Sequence, residues 1–129
     1  MAARISHTTI DSRDALAQSV FWSAVLGFAE DPEDPDVPGD DECMIFSSDS
    51  TQRLLFIEVP ETKQLKNRLH LDLEPDEGST RDEELARLLH LGARQVDDLR
   101  RPDGTGWVVL ADPEGDEFCI LRSRAERSA

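Results

Sequence analysis

His7-Thr8-Thr9-Ile10 and His70-Leu71-Asp72-Leu73 are the two stretches whose comparison decides the fold. Each opens on a histidine and reads as a short strand, and each is followed by a helical pattern that stops at Leu-Gly. In the first half that pattern ends at Val25-Leu26-Gly27-Phe28, in the second at His90-Leu91-Gly92-Ala93. The His-to-Gly separations are 20 and 22 residues, and the copies are offset by 63 to 65 positions, half of a 129-residue chain. Strand, helix and glycine stop thus recur in the same order, the mark of a duplicated unit.

Working outward, Asp11 or Ser12 suits the N-cap of the first helix, where Leu16, Val20, Phe21, Ala24 and Val25 recur at helical spacing. In the second, Thr80 with Glu83 matches a capping box, and Leu85, Leu88 and Leu89 supply the apolar stripe. Strand-like segments follow each helix: Cys43 to Ser47 and Leu54 to Val59, then Gln95 to Leu99, Trp107 to Ala111 and Glu117 to Leu121. Asp112-Pro113-Glu114-Gly115 carries Pro at the second and Gly at the fourth position of a type I turn, and joins the last two strands as a hairpin. A unit of roughly 60 residues has a marginal core, so two such units are expected to pair, helices outward, with their sheets around a shared cleft. Alternation along the strand at His70 sends Leu69, Leu71 and Leu73 to the helix side and His70 and Asp72 to the other. By the repeat, His7 takes the matching place.

The net charge of −14 comes from 28 acids against 14 bases. A balance this acidic argues against sequence-independent nucleic-acid binding, which relies on cations displacing counterions from phosphates, and against anionic membrane surfaces. The acidity is local: residues 29 to 42 carry eight acids and no base, residues 72 to 84 seven acids and Arg81, and the remainder balances. The first run, broken by Pro32, Pro35, Pro38 and Gly39, reads as a solvated loop. Cys43 and Cys119 lie 76 positions apart with no CxxC or Cys/His cluster, which indicates neither a zinc finger nor a disulfide scaffold. No leader or membrane span is visible, and a reducing cytoplasm is the expected compartment. No Gly-x-Ser-x-Gly elbow or phosphate-cradling glycine loop occurs, so hydrolase and nucleotide-binding readings are weak.

The duplicated order, together with Ser6-His7-Thr8, the helix end Phe21-Trp22-Ser23-Ala24-Val25-Leu26-Gly27-Phe28, the segment Asn67 to Leu73 and the closing Gly106-Trp107 to Phe118-Cys119 with its Asp-Pro-x-Gly hairpin, resembles the vicinal oxygen chelate superfamily. Within it, the resemblance is to the glyoxalase-like, bleomycin-resistance-like branch of the actinobacterial type. It covers residues 4–123 as a single domain of two modules, about 4–60 and 66–123. It implies an α+β fold in which two tandem βαβββ modules form a cupped, eight-stranded mixed sheet around a ligand cavity. In metal-using members one ligand sits on each of four strands. The two histidines match His7 and His70, whereas the carboxylate expected after the hairpin falls on Cys119. The matching first-half position falls on Ile57, or on Glu58 if the register slips by one, which would reverse its face.

Two histidines and one carboxylate suit divalent iron, manganese, nickel or zinc, leaving positions open for substrate oxygens. Asp72, Glu58 and Glu117 are the candidates for the third ligand, with Cys119 open as a thiolate or as a packing residue. Glu117 stands two residues from Cys119, roughly 7 Å along a strand. Equally open are His7 and His70 as metal-free pocket groups or as hydrogen-bonded core histidines. Trp22 reads as core and Trp107, which shares a strand face with Val109 and Ala111, as a pocket residue; His90 suits the negative end of its helix. The leading expectation is a protein that binds a small organic molecule, cationic on the evidence of the local acidity, in a cavity lined by His7, His70, Asp72, Trp107 and Cys119. The alternative is a divalent-metal-dependent lyase, isomerase or dioxygenase using His7 and His70. A third is a non-catalytic interaction module, and in any of these a homodimer is expected.

Overall fold

The computed structural model describes residues 1–128 and divides the chain into two compact units, Met1–Thr62 and Lys63–Ala129. The first contains β1 (Thr8–Ser12), α1 (Ala15–Leu26), β2 (Glu42–Phe46) and β3 (Arg53–Glu58). The second contains β4 (Asp72–Leu73), α2 (Arg81–His90), β5 (Arg94–Asp98), β6 (Val108–Ala111), β7 (Glu117–Ile120) and a short α3 (Arg124–Ser128). Both sheets are mixed. In the first, β3 lies between β1, which it pairs in parallel, and the antiparallel β2. In the second the order is β4-β7-β6-β5, with β4 and β7 parallel and the other pairs antiparallel. Thus β1, β2 and β3 correspond to β4, β6 and β7, and the α+β duplication is borne out.

The described residues contain seven strands where eight were expected. What should be the fourth strand of the first unit is reduced to one bridge, Ala29 to Phe46 on the outer side of β2. Proline lacks the N–H that a ladder requires, and Pro32, Pro35 and Pro38 stop the segment from extending past that bridge.

Each sheet buries one face against a helix. In the first unit Phe21, Trp22 and Val25 of α1 meet the face carrying Cys43, Ile45, Leu54 and Phe56. In the second, Leu85 and Leu88 of α2 meet the face of Val108, Leu110, Phe118 and Ile120. Burying each such side chain contributes about 1.5–3 kcal/mol, so these two faces are the core. Trp22, packed edge-on against Phe21 with ring centroids 5.5 Å apart, belongs to it as expected. Leu89 is 40% exposed and lies off the stripe.

The caps differ partly from expectation. Asp14, not Asp11 or Ser12, caps α1, its Oδ1 accepting from Ala17 N at 3.0 Å, because Asp11 and Ser12 are held in the β1 ladder. Gly27 ends the helix in the left-handed region, φ 69°, where a Cβ is disfavoured. Thr80 caps α2 and accepts from Glu83 N at 3.1 Å; its hydroxyl donates to the Glu83 carboxylate at 3.0 Å. Just inside α2, Arg81 is 5% exposed and donates from Nη1 to the carbonyls of Gly104, Thr105 and Gly106. That clasp needs Gly106, since a Cβ there would stand 2.0 Å from Leu99 O.

The β6–β7 hairpin turns as expected, with Gly115 N donating to Asp112 O at 2.9 Å. Asp112 is 4% exposed and its Oδ1 accepts from the backbone N–H groups of Glu114 and Asp116. Asp116 Oδ2 is buried without a hydrogen-bond partner among the described residues. Burial, and then the negative charge of Asp112, push the Asp116 carboxyl up to about 7. No helix among the described residues is long and apolar enough to cross a membrane.

Candidate functional site

The parallel pairing of β4 with β7 sets Asp72 directly opposite Cys119 and Leu73 opposite Ile120. Alternation then places Asp72 and Cys119 on the face away from α2, and Leu73, Phe118 and Ile120 on the face toward it. β4 is only two residues long, so Leu69 lies outside it and is 87% exposed rather than packed on the helix. His70 Nε2 stands 3.4 Å from Asp72 Oδ1, both side chains about half exposed, while Cys119 is 5% exposed. One donor atom from each residue, an imidazole nitrogen, a carboxylate oxygen and the thiol sulfur, lie within 4.8 Å of one another. Burial and the adjoining Asp72 charge push the Cys119 thiol up to about 11, so at neutral pH it is a protonated group beside a carboxylate.

Glu117, an expected third ligand, is engaged elsewhere. Its Oε1 pairs with Lys63 Nζ at 3.0 Å, its Oε2 accepts from Asn67 N at 3.0 Å, and its backbone carbonyl accepts from Asn67 Nδ2 at 3.1 Å. Burial pushes this carboxyl up, but the Asn67 N–H and Lys63 outweigh it and hold it below the usual range. Glu117 therefore straps the incoming segment along β7 instead of joining the donor group. Trp107 precedes β6 on the face shared with Val109, which pairs with Cys119. It is half-buried, with the Arg101 guanidinium 6.0 Å from its ring centroid.

In the first unit, His7 stands one residue before β1, part-buried, its Nδ1 3.0 Å from Ser6 Oγ. Alternation aligns it with Thr9 and Asp11, whose partners on β3 are Leu55 and Ile57. Glu58 pairs with Ser12, which is buried on the helix-facing side, so Glu58 falls on the opposite face from His7. The strand period of two excludes it from a site on the face of His7. Of the residues singled out in the sequence, then, His70, Asp72 and Cys119 come together within the second unit, while Glu117 is held by Lys63 and Asn67 and Glu58 lies on the opposite face of its own sheet from His7.

A second group was not legible beforehand: Asp36, Asp40 and Cys43 also bring donor atoms within 4.8 Å. Cys43 is fully buried on the α1 side and its thiol is pushed up to about 11, chiefly by burial and then by Asp36. Only the spacing Asp36-x3-Asp40-x2-Cys43, inside a run read as solvated loop, could have signalled it.

Comparison with solved structures shows the fold. A fosfomycin resistance protein, FosX, from Listeria monocytogenes, solved with Mn(II) and 1S,2S-dihydroxypropylphosphonic acid, superposes with a TM-score of 0.69 at 18% identity, covering 98% of this chain and 95% of that one. FosX from Mesorhizobium loti gives 0.66 at 17% identity over 99% and 98% of the two chains. A glyoxalase/bleomycin resistance protein/dioxygenase family enzyme from Burkholderia phytofirmans gives 0.68 at 22% identity over 92% and 97%. No curated protein matches at a significant level. The model of the glyoxalase-like domain matches residues 7–121, nearly the whole duplicated chain, and the protein belongs to that family.

Proposed function

We propose that this protein binds a small, oxygen-bearing organic molecule on the sheet face that carries His70, Asp72 and Cys119, with a divalent metal held by those three side chains. The observation that carries this reading is the convergence of three chemically different donors within 4.8 Å. A nitrogen, an oxygen and a sulfur make a borderline donor set, suited to zinc or nickel and less to manganese, which prefers oxygen. The half-exposed His70 and Asp72 leave one side open to a ligand. A bound metal would supply Lewis acidity toward the ligand's oxygens. The residues supply the rest: Asp72 orients the His70 imidazole, and Cys119 gives up its thiol proton when it ligates. Because that thiol is pushed up to about 11, metal uptake releases a proton and strengthens as pH rises.

A metal-free reading is favoured by one specific contact. Asp72 lies directly opposite Cys119 with the His70 imidazole 3.4 Å away, so the three side chains form a polar patch that meets a ligand directly. Metal analysis of untagged protein, with zinc, nickel, manganese and iron titrations, separates the two. We expect about one equivalent of zinc or nickel, stabilisation near 3 kcal/mol at a hundredfold excess over Kd, and its loss in His70→Ala. Absence of metal and no thermal shift with any of the four ions would overturn the metal reading and leave direct ligand binding by the polar patch.

A further inference from the structure

β4 has little of its own to hold it: two residues long, at the edge of its sheet and followed within two residues by Pro75. An edge strand this short opens readily unless something else holds it closed. Its pairing with β7 includes Cys119 N donating to Leu71 O at 2.9 Å and Leu121 N donating to Leu73 O at 2.8 Å. The residue after the strand is tied to the C-terminal helix. The Glu74 carboxylate takes a guanidinium on each oxygen, Arg124 Nε at 3.0 Å and Arg127 Nη2 at 2.8 Å. That helix also reaches α2. Ser123-Arg124-Ala125-Glu126 forms a capping box, with Ser123 Oγ accepting from Glu126 N at 3.1 Å and Glu126 Oε2 accepting from Ser123 N at 2.6 Å. The same Oε2 accepts from Arg81 N at 2.8 Å, one of the N–H groups that the first turn of α2 leaves without an intrahelical partner. One carboxylate thus caps two helices, and α3 is fixed at α2 while it grips the residue after β4.

We infer that α3 is a clasp that keeps β4 closed on β7, and that releasing it lets β4 swing outward and parts Asp72 from Cys119. The two ends of the clasp differ in kind. Glu126 is part-buried and bonds backbone N–H groups, which makes it the fixed end. The other end is solvated: the Glu74, Arg124 and Arg127 side chains are between 36% and 84% exposed, so it is held by charges that salt screens. Closure and the donor group are linked, because the closed strand is what brings His70, Asp72 and Cys119 within 4.8 Å of one another. The clasp itself stands whether that group holds a metal or meets a ligand directly.

The test is amide hydrogen exchange of the full-length protein, kept free of metal with a chelator and followed residue by residue. In Glu74→Gln and in Arg124→Gln/Arg127→Gln, the Cys119 and Leu121 amides should exchange about fivefold faster, the upper end of what an exposed ion pair contributes. The amides of β6 and of the first unit should keep their wild-type rates. Combining the three substitutions should add nothing further, since both variants remove the same contact. Added salt should speed the two amides in the wild type and leave the variants unchanged. Iodoacetamide gives a second reading: Cys119, 5% exposed with the strand closed, should be alkylated faster in the variants, with the buried Cys43 as internal control. Unaltered exchange at Cys119 and Leu121 in both variants, or an acceleration shared by every strand, would overturn the clasp. A failed zinc titration would strike only the metal reading, because none of these measurements uses an ion.

Discussion

The two units share an order of elements and differ at the positions where chemistry could sit. In the second, Asp72 faces Cys119 across the parallel β4–β7 pair; in the first, the corresponding β1–β3 pair sets Thr9 opposite Leu55. Of the three donors, the first unit keeps only the histidine. The cysteines invert the same lesson. Cys119 stands on the face away from its helix, next to His70 and Asp72, whereas Cys43 is turned toward α1 as part of the core. Duplication has preserved the helix-facing halves of the sheets, where apolar burial constrains every alternate residue, and let the opposite faces diverge. The outer strand diverged as well: β5 is a full five-residue strand, and its first-unit counterpart is a single bridge.

If packing is the conserved part of the repeat, equivalent core truncations should cost the same. Phe56→Ala and Phe118→Ala, both essentially inaccessible residues on the helix-facing side, are each expected to lose about 3–5 kcal/mol, read as coincident shifts in urea midpoint. A loss confined to one variant would break the equivalence and show the two units unfolding separately. The hairpin turn of the second unit should add a pH dependence. With the Asp116 carboxyl raised to about 7 from an ordinary 3.8, the folded protein retains a proton that the unfolded chain has released. Its contribution therefore falls as pH rises from about 4 to about 7, and levels above. Asp116→Asn should remove that slope, so the wild-type minus variant difference in Tm should drift downward across the window; parallel curves would refute the assignment. The smallest effects concern the helix caps. Asp14→Ala and Thr80→Ala should each cost about 1 kcal/mol, with rescue by serine, and an effect below a few tenths in either would show that its helix start is held by tertiary contacts alone.

Much of this was legible from residue order. The repeat, both glycine-ended helices and the Asp-Pro-Glu-Gly hairpin follow from local rules, in which a proline, a cap or a left-handed glycine acts within a few residues. The first-helix cap was misplaced by two or three positions because ladder pairing of β1 took Asp11 and Ser12, a nonlocal event. Leu69 was misassigned for a related reason: alternation was extended beyond a strand that ends after two residues.

By itself the sequence determined the duplication, the α+β class and the candidates His7, His70, Asp72 and Cys119, since periodicity and turn chemistry are properties of neighbouring residues. Only the tertiary structure decided which candidates stand together. Strand register, a pairing between residues 47 positions apart, set Asp72 against Cys119 and turned Glu58 away from the face of His7. Side-chain competition did the remainder, because Lys63 and Asn67 occupy Glu117 and keep it from the donor group, a pairing that no count along the chain can reveal.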